Sequence, residues 1–236
     1  MKTTVLIPTY NETGNIAELI NKILVLYPDY DVLVVDDNSP DGTAELIRTN
    51  FINQRQNNRV KLIVRTQNRG RGLAGIEGYK QALLSGADVV VEMDGDMSHA
   101  PEFIKPMIEE ILSGYDVVVG SRFIKSGRDE ERGFLRQKVS GFARFYIRAL
   151  LGIKLKDPTS GFRVFKRHVL ERIIDKLKAT DPFIVTEVYY HSTRLGIKFK
   201  EVPITFYERS KGESKLNSGI LMKYLVKVLK IKLGIF

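Results

Sequence analysis

The 236-residue sequence contains no cysteine. That absence excludes a disulfide framework and any thiolate metal site, and it fits a reducing compartment. Three histidines, His99, His168 and His191, are scattered without metal-ligand spacing. No signal-peptide pattern is evident, because "MKTTVLIPTY" enters a strand at once. Internal repeats and low-complexity linkers are also missing. Acidic charge is in short supply: 28 Asp and Glu stand against 37 Lys and Arg, a net charge of +9. The balance points to anionic partners, whether nucleic acid, phosphorylated small molecules or a lipid surface. Much of the excess lies after residue 121. With 43 % hydrophobic residues, the chain is long enough to bury a core of its own.

What is present alternates between two periods. Short apolar runs read as buried strands at 3–8, 31–36, 60–65, 87–93 and 115–120, and amphipathic patterns between them read as helices at 15–27, 43–51, 73–86 and 101–114. Such alternation predicts βαβ units and a mostly parallel sheet covered by helices on both faces. In sheets of this kind ligands bind outside the carboxyl ends of the strands. The polar motifs fall there: "PTYNE", "DDNSPDGT", "MDGDMSH" and "GSR" each follow a predicted strand. The second half is less regular. Apolar residues at 135, 139, 142, 146 and 150 predict a helix over 134–152, 157–174 reads as a turn, a strand and a helix, and 197–209 reads as an edge strand interrupted by Pro203.

Glu92, Asp94 and Asp96 sit within five residues after a buried strand, where like charges repel. A carboxylate, a glycine without Cβ and a second carboxylate at a strand end can converge on one hard cation. Mg²⁺ or Mn²⁺ takes one or two protein carboxylates and completes its shell with phosphate oxygens and water. The compensating charge is therefore expected from a divalent metal arriving with a nucleotide diphosphate. In "VVDDNSPDGT" a turn would need Asn38, Ser39, Pro40 and Gly42 but not both Asp36 and Asp37, so a carboxylate here could accept hydrogen bonds from a base or ribose. "PTYNE" adds Tyr10 as a stacking surface and Glu12 as a second acceptor. The glycines of "NRGRGLAGIEG" lack Rossmann spacing; close helix–sheet packing is their expected role, with Arg71 within reach of a phosphate. Glu187 lies in an apolar run, where an unpaired acid would be costly; an arginine partner is expected, with a catalytic base as the lesser reading.

"IPTYNE", "VVDDNSPDGT", "MDGDMSHAP", "VVGSRF", "DPTSGFRVF" and "EVPITFYERSKGESKL" occur in this order over almost the whole chain. Together they resemble the inverting family 2 glycosyltransferases of the GT-A fold, and most closely the polyprenyl-phosphate (dolichol-phosphate) mannose synthases. The resemblance implies transfer of mannose from GDP-mannose to a polyprenyl or dolichyl phosphate with inversion. By it Pro8, Tyr10, Glu12 and Asp37 form the nucleotide pocket, and Asp94, Gly95 and Asp96 the metal and diphosphate site. Ser98 stands where relatives often place a glutamine as third metal contact. Arg122, Arg136 and Ser140 are implied as a clamp on the acceptor phosphate. Arg209 and Lys215 are implied as a lid over the donor diphosphate. A general base is not needed, because a phosphate monoester with a second pKa of about 6 already carries a nucleophilic oxygen at neutral pH.

Residues 1–218 are expected to form the GT-A domain and 219–236 a basic amphipathic helix. Lys223, Lys227 and Lys230 lie within about 60° on a helical wheel opposite an apolar face. The expected arrangement is a helix lying in a membrane interface with its lysines toward the headgroups, which predicts a peripheral protein on the cytoplasmic face. The competing arrangement packs this helix back on the core. The alternative activity is a UDP-glucose-dependent polyprenyl-phosphate glucosyltransferase. Sugar-1-phosphate nucleotidyltransferases, which carry a glycine-rich basic loop after the first strand, fit less well. A nucleic-acid binder would leave the acidic strand ends unexplained, and no such motif is present.

Overall fold

The structure is a computed structural model. It describes residues 1–53, 58–129, 134–207 and 218–236; the side chains of 134–139, 218, 220 and 221 lie outside the description. The first half alternates as expected: β1 (Thr3–Thr9), α1 (Ile16–Leu26), β2 (Asp31–Asp36), α2 (Thr43–Ile47), β3 (Val60–Val64), α3 (Arg71–Leu84), β4 (Val89–Glu92), α4 (Ile104–Leu112) and β5 (Val117–Ser121). The second half adds β6 (Arg128–Asp129), α5 (Phe134–Leu151), β7 (Arg163–Lys166), α6 (Arg167–Ile173), α7 (Ile184–Arg194), β8 (Phe199–Pro203), β9 (Thr205–Phe206) and α8 (Ser218–Lys232).

The main sheet has the order β3-β2-β1-β4-β7-β5-β8. Every pairing is parallel except those of β7, which runs antiparallel between β4 and β5. That reversal brings the turn before β7, residues 157–162, to the edge where β4 and β5 end. β8 is the outer strand, as the proline at its end requires. A second, two-stranded sheet pairs β6 with β9.

Successive residues on a strand face opposite sides, so the sheet separates two cores. Leu6, Val90 and Phe165 pack toward α3, α6 and α7, while Val5, Ile7 and Val91 pack toward α1 and α4. On α1 the buried residues Ile16, Leu19, Ile20 and Ile23 repeat with helical spacing. The glycines of α3 serve close packing, as expected: a Cβ on Gly78 would lie 2.2 Å from Leu6, and one on Gly72 would lie 2.1 Å from the Ala179 carbonyl.

Three elements differ from expectation. α7 is buried on every side over its first two turns, Ile184 through Tyr190, and reaches solvent only toward its end, where Arg194 is exposed. On α5 the buried line is Ala143, Ile147 and Leu151, whereas Phe142 is 61 % exposed. Tyr146 and Leu150 of the expected stripe do pack against the core. α8 docks on the domain: Val228 and Ile231 are buried in the core shared with α3 and α7, and Tyr224 and Phe236 pack on Phe183. Lys227 pairs with Asp181 and so does not join Lys223 and Lys230 at the surface. α5 and α8 contact each other. No helix among the described residues is long and apolar enough to cross a membrane.

Candidate active site

The acidic loop is shaped by its neighbours. Gly95 sits against the end of β1, where an added Cβ would lie 3.1 Å from Thr9 and 3.5 Å from the Glu12 side chain. Met97 adopts the left-handed conformation with φ 66°, which folds Ser98 back onto Asp96. Asp96 Oδ1 accepts from the Ser98 backbone amide at 3.1 Å and from its hydroxyl at 2.5 Å. Ser98 and Asp96 are both buried, and the Ser98 hydroxyl, expected as a metal contact, is donated to Asp96, which it orients. The Asp94 side chain is 36 % exposed and faces Gly161, where a Cβ would come within 3.4 Å of its carboxylate. Leaving that space open is a role of the "TSGF" turn.

The positive charge beside Glu92 is supplied by two arginines. Glu92 accepts from Arg163 Nε at 2.8 Å, from Arg71 Nη2 at 2.9 Å and from the Tyr79 hydroxyl. Arg163 also donates to the Tyr79 oxygen at 2.8 Å and to the Val185 carbonyl at 3.0 Å. Burial would raise the Glu92 carboxyl, but Arg163 and Arg71 overcome it and hold the pKa below the usual range. Burial pushes the Tyr79 phenol well up, so it stays a donor. Arg71 reaches on to Asp94 Oδ1 at 3.4 Å, linking the buried network to the exposed acid.

On the nucleotide side, Pro8 is buried in β1 beside Val35 and Tyr10 is 41 % exposed at the strand end. Glu12 is half-buried and accepts from Asn15 Nδ2 at 3.1 Å. Asp36 belongs to the turn: it binds Thr9 and both the amide and hydroxyl of Ser39. Asp37 is buried, with Oδ1 on Arg65 at 2.5 Å and Oδ2 on the Gly70 amide at 2.7 Å. A carboxylate oxygen has a second acceptor direction, so a base contact must share Asp37 with Arg65 and Gly70.

Arg122 follows β5 and is locked by a partner that sequence reasoning missed. Its Nε and Nη2 bind Asp157 at 2.8 and 2.9 Å, and its guanidinium lies over Phe206, 5.0 Å from the ring centroid. Burial works to raise Asp157, but Arg122 outweighs it and lowers the pKa. His99, to which no role was assigned, accepts from the Asp94 amide at 3.2 Å and stacks on Phe162. Burial lowers its pKa against the pull of Asp94 and Asp96. β9 is tied to the acidic loop by the His99–Phe206 bridge and a Tyr207 amide bond to the Ser98 carbonyl at 3.1 Å. Ser140 lies on α5, partly exposed. The Arg136 side chain, Arg209 and Lys215 lie outside the described residues. Glu187 has backbone rather than arginine partners, the amides of Lys178 and Ala179, both at 2.9 Å.

Among the described residues no cluster of three or more Asp, Glu, His or Cys could enclose a metal. Asp94 and Asp96 are a two-carboxylate donor set, which fits Mg²⁺ or Mn²⁺ when a bound diphosphate and water supply the other oxygens.

The profile of glycosyl transferase family 2 matches residues 4–174. The undecaprenyl-phosphate mannosyltransferase of Micrococcus luteus is 36 % identical over 231 residues, 98 % of this chain and 93 % of that protein. The dolichol-phosphate mannosyltransferase of Pyrococcus furiosus is 37 % identical over 235 residues, 98 % of this chain and 64 % of that protein. Among solved structures, glucosyl-3-phosphoglycerate synthase from Mycobacterium tuberculosis, in complex with Mn²⁺, UDP and glucosyl-3-phosphoglycerate, superposes with a TM-score of 0.72. It is 20 % identical, and the match covers all of this chain and 81 % of that one.

Proposed function

This chain belongs to glycosyl transferase family 2, and on that premise we propose that it transfers mannose from GDP-mannose to a polyprenyl phosphate. The enzyme is a glycosyltransferase with a GT-A-like fold. The observation that carries the reading is the contrast at the strand edge. Glu92 and Asp157 are buried and neutralised by arginines, while Asp94 is more than one third exposed next to Asp96, which is buried.

Pro8, Tyr10, Glu12 and Asp37 would bind the nucleoside of the donor. Asp94 and Asp96 would hold Mg²⁺ or Mn²⁺, with Gly95 keeping the loop close to β1. When bound, the cation neutralises charge on the departing diphosphate. Arg122, Arg136 and Ser140 would orient the acceptor phosphate, and Arg209 and Lys215 would close over the donor from the segment that follows β9. An oxygen of the lipid phosphate attacks the anomeric carbon, the bond from that carbon to the diphosphate oxygen breaks, and GDP leaves from the opposite face with inversion. No proton has to be removed from the nucleophile, so holding two anions in line is the chemical task.

Membrane contact is part of the proposal. Phe142 and Phe145 on α5, with Met222, Val226 and Leu229 on α8 and Leu233 just after it, are exposed apolar side chains, and the two helices are in contact. They would rest in the lipid interface of the cytoplasmic face, where the polyprenyl phosphate headgroup lies.

The test is incubation with polyprenyl phosphate and labelled GDP-mannose, UDP-glucose or UDP-N-acetylglucosamine, with and without Mg²⁺. Lipid-extractable label is expected from GDP-mannose alone and only with metal. A UDP-bound structural neighbour makes UDP-glucose the second reading, and label from that donor alone would replace the first.

A further inference from the structure

Arg71, the first residue of α3, was expected within reach of a phosphate, and the structure turns it to two acids. Its Nη2 donates to Glu92 Oε1 at 2.9 Å and to Asp94 Oδ1 at 3.4 Å. This is a costly place for a cation. Nη1 is buried and has no hydrogen-bond partner among the described residues. The start of a 14-residue helix also presents the positive end of its dipole. Gly75, one turn on, leaves room for the guanidinium: a Cβ there would lie 3.3 Å from Nη1. Nor does Glu92 need a second arginine. Arg163 already pairs with it through Nε at 2.8 Å, both side chains being fully buried, and the Tyr79 hydroxyl donates to it as well. Two arginines therefore stand on one buried acid, and Arg71 carries the second charge on to Asp94. His99, the other ring beside Asp94, accepts the Asp94 amide through Nδ1, so that nitrogen bears no proton. Burial works to lower the Arg71 pKa, but Glu92 and then Asp94 outweigh it and keep the guanidinium charged.

We propose that Arg71 is a positioning residue that makes divalent-cation binding at Asp94 conditional on a nucleoside diphosphate. In the free protein Arg71 balances the Asp94 carboxylate. A dication that took Asp94 alone would lie beside an arginine whose charge had lost its counterpart, and like charges at such range repel. A diphosphate arriving with the dication supplies the missing negative charge, so the two ligands bind together far better than the cation binds alone. The long 3.4 Å contact and the partial exposure of both side chains, 22 % for Arg71 and 36 % for Asp94, suit a pair in which the acid is handed over, unlike the closed Arg163–Glu92 pair behind it. The inference rests on the two-carboxylate cation site proposed above and adds the residue that couples its two ligands.

Mn²⁺ affinity, read by electron paramagnetic resonance on the full chain with and without GDP, tests it. Arg71→Gln removes the charge and keeps a side chain that can still donate to Glu92; Arg71→Lys keeps the charge. An arginine beside a carboxylate changes its affinity for a proton by one to three powers of ten. Without GDP, Arg71→Gln should therefore bind Mn²⁺ at least about 10-fold more tightly than the wild type. The factor by which GDP tightens Mn²⁺ binding should shrink in parallel. Arg71→Lys should restore both wild-type values, which a purely structural role for the arginine would not require. Wild-type Mn²⁺ affinity and an unchanged GDP factor in Arg71→Gln would overturn the proposal, as would Arg71→Lys behaving like Arg71→Gln. The wild type decides the matter even if a variant fails to fold: Mn²⁺ bound equally well with and without GDP, and lost in Asp96→Ala, would leave the cation site standing and overturn the coupling. A wild type that binds no Mn²⁺ under either condition would instead remove the cation site on which the inference rests.

Discussion

At the scale of single residues, the site is organised by charges buried in pairs. Asp157 and Arg122 are both almost wholly buried, and removing one partner strands the other. Asp157→Asn should cost about 3–5 kcal/mol, read as a lower midpoint in urea unfolding. The pair also has a pH signature. The folded pKa of Asp157 lies below its ordinary value of 3.8, so its contribution is whole above that value and is lost as pH falls through the lower folded one. The gap in stability between wild type and Asp157→Asn should therefore close on acidification, and a gap independent of pH would contradict the assignment. The acids of this site were legible in the sequence as a dense cluster after a strand. Their counter-charges were not, because Arg163 is 71 residues from Glu92 and Arg122 is 35 from Asp157, and only the antiparallel placement of β7 and its preceding turn brings them together.

At the scale of elements, close contacts give sharper tests than propensities. Gly78 lets α3 approach β1, and its Cβ would overlap Leu6. Gly78→Ala should destabilise by about 1–3 kcal/mol through overpacking despite alanine's better helix propensity; a stabilised variant in thermal melts would refute close packing as the glycine's role. α8 presents two faces with opposite expectations. Ile231 is buried and Leu229 is 43 % exposed. Ile231→Ala should cost about 2–5 kcal/mol, while Leu229→Ala should leave thermal stability nearly unchanged and weaken vesicle binding. Equal effects of the two on stability would mean that the helix docks with another face. Helical periodicity alone located α8 but could not say which of its stripes meets protein, since lysines at three-to-four spacing read equally as headgroup contacts until Lys227 is seen against Asp181. The βαβ units were legible because each strand is short, apolar and bounded by turn residues. α7 was not, because its surroundings bury every side of its first two turns.

At the scale of the whole molecule, the carboxyl edge of one sheet gathers the acidic loops from the first half, the proposed donor site, and the second half brings Arg122 and Arg163 to that edge. On the proposed function, the basic excess after residue 121 would serve phosphate-bearing ligands and a lipid surface. The central claim is that Asp94 and Asp96 bind a divalent cation jointly with a nucleoside diphosphate. Electron paramagnetic resonance of Mn²⁺ titrated into the protein with and without GDP tests this directly. Bound Mn²⁺ should rise sharply when GDP is added to the wild type and fail to rise in Asp96→Ala. A GDP-dependent signal that survives Asp96→Ala, or GDP that binds equally well in the presence of a chelator, would contradict it.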